Sequence, residues 1–263
     1  MNVDIVYITD PGGKRGDAPL RWSLRSLGKF ASGVGRVIVC GRCPGWLSDR
    51  VVKIPVDPAS EHGGKSWNIL YGYLTAVEKA GIRRKFLYSS DDHYLCRPAD
   101  MRRWPRYFNA GKWNGRLMSY AEYVGTYRKL PIPYHVTLFK TRDLLAEHGL
   151  SLRRACVHLD TWADPKDVRA AVEFAKEHED RTVDGFEPTC LINAFFERRM
   201  KNAKRQPVYE PYAEDWKARC AGDCAEKIGS GSPMFSTEAG AETDPAVASW
   251  MDAFYCEPCV WEK

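Results

Sequence analysis

Asp91, Asp92 and His93 follow one another directly behind the apolar run Phe86-Leu87-Tyr88 and the pair Ser89-Ser90. Two carboxylates and an imidazole at a strand terminus form an oxygen and nitrogen donor set suited to Mn²⁺ or Mg²⁺. In extended backbone Asp91 and His93 point to one side and Asp92 to the other, so at most two of the three ligate together unless the chain turns there. An ion held by such a set clamps the two phosphates of a nucleotide diphosphate sugar and neutralises the charge that develops on the leaving diphosphate. The competing reading is a pair of solvated turn carboxylates after a strand. Thr9, Arg21, Asp57, Lys65, Asn68 and Asp91 fall at or just after expected strand ends or on the helix entries facing them. A base, ribose and diphosphate sit at such places, with Arg21 and Lys65 suited to phosphate and Asp57 to a ribose or base edge.

Transfer to an acceptor hydroxyl needs a carboxylate or histidine within hydrogen-bond reach of it. Asp160, Asp184 and Glu187 occupy the less regular stretch behind the acidic pair and are the candidates, although Glu187, just before Pro188, also fits a first-turn acidic residue answering a helix dipole. Nine cysteines, an odd number, argue against a secreted disulfide framework. Cys220-x3-Cys224 and Cys256-x2-Cys259, with 31 residues between the pairs, have the spacing of two halves of a structural zinc site. Free thiols are the alternative.

The elements that must position these residues follow an α/β rhythm. Strands are expected at Asp4 to Thr9, Arg36 to Gly41, Val51 to Val56 and Lys85 to Ser90, and helices at Leu20 to Ala31, at Pro44 to Asp49 and from Ser66 to about Ala80. Further strands are expected at Leu117 to Tyr123 and His135 to Thr141, and helices at Asp143 to His148, Pro165 to His178 and Pro188 to Met200. This order implies a Rossmann-type parallel sheet covered by helices on both faces, with ligands at the carboxyl ends of its strands. The 263 residues, 44% apolar and with 32 aromatics, are enough for a full core and exclude a disulfide miniprotein. No apolar run reaches the length of a membrane span, and the expected location is the cytoplasm, or a host's cytoplasm for a phage-encoded protein.

Charge divides the chain. Residues 1 to 205 carry 35 Lys and Arg against 23 Asp and Glu, whereas residues 206 to 263 carry 4 against 11. The first part is expected as the nucleotide-binding domain, and the second as an acidic, cysteine-containing C-terminal extension. A basic body favours an anionic partner, a nucleotide diphosphate or a nucleic acid backbone.

The segments Leu20-Arg21-Trp22-Ser23-Leu24-Arg25-Ser26-Leu27, Val37-Ile38-Val39-Cys40-Gly41, Pro44-Gly45-Trp46-Leu47, Asn68, Phe86 through Leu95 and Pro133-Tyr134-His135-Val136 together resemble GT-A-type glycosyltransferases. They look in particular like the Stealth group and its phage and bacterial relatives, over roughly residues 3 to 140. The resemblance implies a GT-A fold, a nucleotide sugar donor, Asp91 and Asp92 as the acidic metal motif, and His135 as a histidine serving the metal or the phosphates. Asp91 and His93 also read as an Asp-x-His variant of that motif. The acceptor is then a saccharide or a hydroxymethylated base in DNA, the latter flipped onto aromatics such as Trp104, Tyr107 or Trp113. A Stealth-like sugar-1-phosphate transferase and a non-catalytic, zinc-stapled nucleic-acid-binding protein are the alternatives.

Overall fold

A computed structural model describes residues 1–9, 16–56, 64–104, 108–109, 133–152, 160–178, 185–204, 210–211, 217–230, 233–237 and 240–263. The expected strand at 117–123, the loop at 10–13, and Asp57 and Asp184 lie outside them. The chain is a mixed α/β protein with a mostly parallel central sheet flanked by helices. Strands β1 (Val3–Thr9), β2 (Val34–Gly41), β3 (Val51–Pro55) and β4 (Phe86–Ser89) are separated by helices α1 (Ala18–Phe30) and α2 (Lys65–Lys79). A short strand β5 (His93–Leu95) follows, then α3 (Pro133–Glu147), β6 (Thr161–Ala163), α4 (Pro165–Glu177) and α5 (Pro188–Asn202). The C-terminal residues add β7 (Lys217–Ala218), α6 (Ala221–Gly229), β8 (Met234–Thr237) and α7 (Pro245–Phe254).

The central sheet has the order β3-β2-β1-β4-β6, with β1 to β4 parallel and β6 antiparallel at the edge. Side chains alternate between two cores, as a sheet buried on both faces requires. Val3, Ile5, Tyr7, Val37, Val39 and Leu87 meet Leu20, Leu24 and Leu27 of α1. Val6, Ile38, Cys40, Ile54, Phe86 and Tyr88 meet α2, α4 and α5 through residues such as Leu70, Val172 and Leu191. Arg199 of α5 grips Asp167 at 2.6 and 2.8 Å and Asp164 at 3.2 Å, fastening α5 to α4.

Two expected elements are corrected. Pro44 to Asp49 is not a helix but an irregular turn, in which Leu47 bridges to Glu262. His135 to Thr141 is not a strand but part of α3. Its β-branched residues imitate a strand, yet Thr137, Thr141 and Leu145 are all fully buried at a spacing of four. Thr141 Oγ1 donates to the Thr137 carbonyl at 2.6 Å, so the hydroxyl is satisfied within the helix.

The C-terminal residues are stitched into the body rather than hung from it. β8 pairs antiparallel with β5 and parallel with β7, and Phe235, Val247, Met251 and Tyr255 share a third core with Trp22 and Tyr94. Arg25 forks onto both Glu262 oxygens at 2.8 and 3.0 Å, and Trp22 Nε1 donates to Asp252 at 2.7 Å. A Cβ on Gly28 would stand 2.7 Å from that of Cys259, so only glycine lets α1 approach the C-terminal strap this closely. No helix among the described residues is long and apolar enough to cross a membrane.

Candidate functional site

The chain lays β1, β2 and β3 outward in one direction and returns to place β4 on the other side of β1. The carboxyl ends of β1 and β4 therefore flank the point where strand order reverses, where sheets of this kind hold their ligands in a crevice. Ser90, Asp91, Asp92 and His93 lie at the β4 side of it, in a turn where the His93 N–H donates to the Ser90 carbonyl at 3.2 Å.

Burial separates the members of this cluster. Asp91 and Asp92 are half-buried, while His93 is 4% exposed. His93 Nδ1 donates to Oδ1 of Asp160 at 3.1 Å, and Nε2 stands 4.0 Å from Oδ1 of Asp92. Asp160, only 1% exposed, directly precedes β6, the antiparallel neighbour of β4. Burial opposes a charge on His93, but the hydrogen bond to Asp160 and the negative charges of Asp92, Asp160 and Asp91 outweigh it and raise the imidazole above its ordinary range. Asp160 thus holds the ring and fixes its tautomer, as a carboxylate behind a ligating histidine does. It was expected as a base toward the acceptor. It is engaged instead as a buried positioning carboxylate.

A chain of buried polar groups keeps this arrangement in place. Tyr7 donates to Ser23 Oγ at 3.1 Å, and Ser23 donates to the His93 carbonyl at 2.6 Å. Ser26 Oγ accepts the Leu95 N–H at 3.0 Å, so both serines of α1 hold the backbone of β5. Trp104 Nε1 donates to the Asp160 carbonyl at 2.8 Å and Trp162 Nε1 to the Trp104 carbonyl at 3.1 Å. Desolvation, then the nearby Asp160 charge, holds the Tyr7 phenol protonated far above neutrality.

The remaining expected residues divide. Thr9 ends β1 at the crevice, but its hydroxyl is spent on the carbonyls of Arg42 (2.7 Å) and Cys40 (3.3 Å). Beside it Gly41, at φ +113°, has room for no Cβ, which would stand 2.1 Å from the Thr9 carbonyl oxygen. Lys65 is exposed in the first turn of α2, whose N-cap Gly64 supplies no side-chain cap. Asn68, one turn on, keeps a buried Oδ1 without a hydrogen-bond partner among the described residues. Arg21 stacks over Trp46 at 4.6 Å and stands 3.4 Å from Glu262, so its guanidinium is engaged with the C-terminal strap. Glu187 is the N-cap of α5, accepting from the Cys190 N–H at 2.6 Å and from the Thr189 hydroxyl, which is the first-turn alternative named above. His135 falls in the first turn of α3, and its side chain is outside the described residues.

The four cysteines of the zinc expectation are not gathered into one group. Cys220 and Cys256 are exposed, Cys224 is buried in the third core, and Cys259 packs beside α1. Burial pushes the Cys224 thiol up to about 12 and the Cys259 thiol up to about 11. No three His, Cys, Asp or Glu side chains among the described residues converge into a metal-holding group. For zinc, which takes four protein ligands in structural sites, this means that the four cysteines are not assembled as a ligand set in this structure. For Mg²⁺ or Mn²⁺ it is compatible with binding, because such ions take one or two carboxylates and complete their shell with substrate phosphates. Asp92 and the oriented His93 fit that partial set.

Two arginines of the basic body are engaged within the protein. Arg102 forks onto Asp100 at 2.8 and 2.9 Å, and Arg97 donates to the Ile228 carbonyl at 2.8 Å. No model of a known protein family matches the chain, and no curated protein is found similar to it.

Proposed function

We propose that the chain is a divalent-metal-dependent glycosyltransferase of GT-A type, drawing its sugar from a nucleotide diphosphate sugar. The observation that carries this reading is Asp91-Asp92-His93 at the carboxyl end of β4, on the crevice where strand order reverses, with His93 oriented by a buried carboxylate. A surface that only grips phosphate backbones gains nothing from carboxylates at that position. Asp92 and His93 would hold Mn²⁺ or Mg²⁺, with Asp91 next to them in the turn, and the ion when bound would supply positive charge against the diphosphate. The protein's own residues do the rest. Asp160 keeps a proton on His93 Nδ1 and leaves Nε2 directed toward Asp92. The open first turn of α2, with Lys65 and the Asn68 carbonyl, faces a nucleotide with N–H groups, one cation and one acceptor. The acceptor is a saccharide or a hydroxylated DNA base.

The test is release of nucleoside diphosphate from a panel of nucleotide sugars with Mn²⁺, with and without hydroxymethylated DNA. Asp92→Ala and Asp91→Ala are expected to abolish release while keeping the circular dichroism of the wild type, since both sit in a turn outside the core. Wild-type turnover by both variants, or undiminished turnover in chelator, would end the metal-dependent reading.

A further inference from the structure

Two histidines outside the candidate site meet where α3 and α4 end. The His148 N–H donates to the Leu144 carbonyl at 3.2 Å and continues the last turn of α3. Behind it Gly149, at φ +61°, reverses the chain, so that its own N–H reaches the Ala146 carbonyl at 3.1 Å and the Leu150 N–H the Leu145 carbonyl at 2.8 Å. This closure fixes where His148 stands. His178 is the C-cap of α4. The two imidazoles are T-shaped with ring centres 4.5 Å apart, and Phe174 lies against both, 5.0 Å from His148 and 4.5 Å from His178. His178 Nδ1 donates to the Phe174 carbonyl at 2.8 Å. A carbonyl only accepts, so in the neutral ring the proton sits on Nδ1 and the lone pair on Nε2. His148 is exposed and His178 half-buried, which leaves the pair open to ions from solvent.

We propose that His148 and His178 bind one divalent nickel or copper ion between them, with water completing its shell and the ion fastening the end of α3 to the end of α4. The proposal is independent of the glycosyltransferase reading. Its first support is the spacing of the rings. With an imidazole nitrogen about 2.0–2.1 Å from the ion, the ring centre lies about 3.2 Å away, so two rings at right angles on one ion have centres about 4.5 Å apart, against about 5.2 Å at a tetrahedral angle. The observed 4.5 Å matches the right-angled ligand sets of Cu²⁺ and Ni²⁺ better than the tetrahedral sets of zinc. The second support is the bond from His178 Nδ1 to a backbone carbonyl, the arrangement that stands behind a ligating histidine and presents Nε2 to the metal. The third is the setting: both residues end helices, whose last carbonyls carry partial negative charge and favour a cation there.

The probe is Ni²⁺ alone, titrated by calorimetry into the untagged full chain. The wild type is expected to bind it with a micromolar Kd and to gain a few degrees of thermal midpoint in millimolar Ni²⁺, because an ion that binds only the folded chain stabilises it. His148→Phe and His178→Phe each keep an aromatic ring beside Phe174 and remove one ligand. Each is expected to weaken Ni²⁺ about tenfold or more and to abolish the thermal gain, since one ligand without the other forfeits the chelation. Asp92→Ala, at the candidate active site, is expected to keep Ni²⁺ affinity within twofold of the wild type, which separates the two sites. Wild-type binding weaker than millimolar would overturn the proposal. So would an affinity within twofold of the wild type in either histidine variant, the result expected if the two rings only pack on Phe174.

Discussion

Asp160→Asn tests the buried pair on which the candidate site is built. The substitution keeps the shape of the side chain and removes its charge. Asp160 and His93 are 1% and 4% exposed, with 3.1 Å between Oδ1 and Nδ1, so solvent screening takes little from the interaction. A buried hydrogen bond to a charged group contributes about 1.5–3 kcal/mol, and one pKa unit corresponds to about 1.4 kcal/mol. The His93 pKa is therefore expected to fall when the charge of Asp160 is removed. Because the folded imidazole is raised above 6.5, its contribution to stability is fully present below 6.5 and lost as pH rises through the raised value. Urea denaturation in the presence of chelator should show Asp160→Asn destabilised by about 2 kcal/mol near pH 5.5 and by less near pH 9. The ring C–H resonance of His93 should titrate at lower pH than in the wild type. An unchanged His93 titration, or a loss of stability that grows toward pH 9, would refute the assignment of Asp160 as the group that holds the ring.

Arg25→Met leaves Glu262, whose side chain is 7% exposed, without its fork, and should cost about 2–3 kcal/mol and open residues 256–263 to proteolysis. Burial works against the charge on Glu262, but Arg25 and the Cys259 N–H hold its pKa below 4.5. In the wild type the same strap is therefore secure above pH 4.5 and loosens as pH falls through the lowered value, which limited proteolysis across pH 3–6 reads directly. Elemental analysis of protein purified without added metal should find no stoichiometric zinc, and Cys256→Ser should leave thermal stability within about 0.5 kcal/mol, because Cys256 is exposed. Near one zinc per chain would return the four cysteines to a common site.

Local pattern determines much of this protein. The period-two alternation of Val3 to Thr9 and Val37 to Cys40, and the period-four leucines of α1, are written in adjacent residues, because each element must bury one defined face. The position of Asp91-Asp92-His93 behind β4 was legible for the same reason. What those residues meet was not. Asp160 reaches His93 across 67 positions, Phe235 pairs with Tyr94 across 141, and Glu262 reaches Arg21 across 241. Short β5 and β8, of three and four residues, carry too little pattern to be read alone and exist because they pair with each other. Thr137 and Thr141 deceived the reading of α3, since β-branching favours a strand locally while burial at a spacing of four demands a helix. The acidic C-terminal composition pointed to a separate extension. What that segment packs against was decided by tertiary structure, since Phe235, Met251 and Tyr255 share one core with Trp22 and Tyr94 of the basic body.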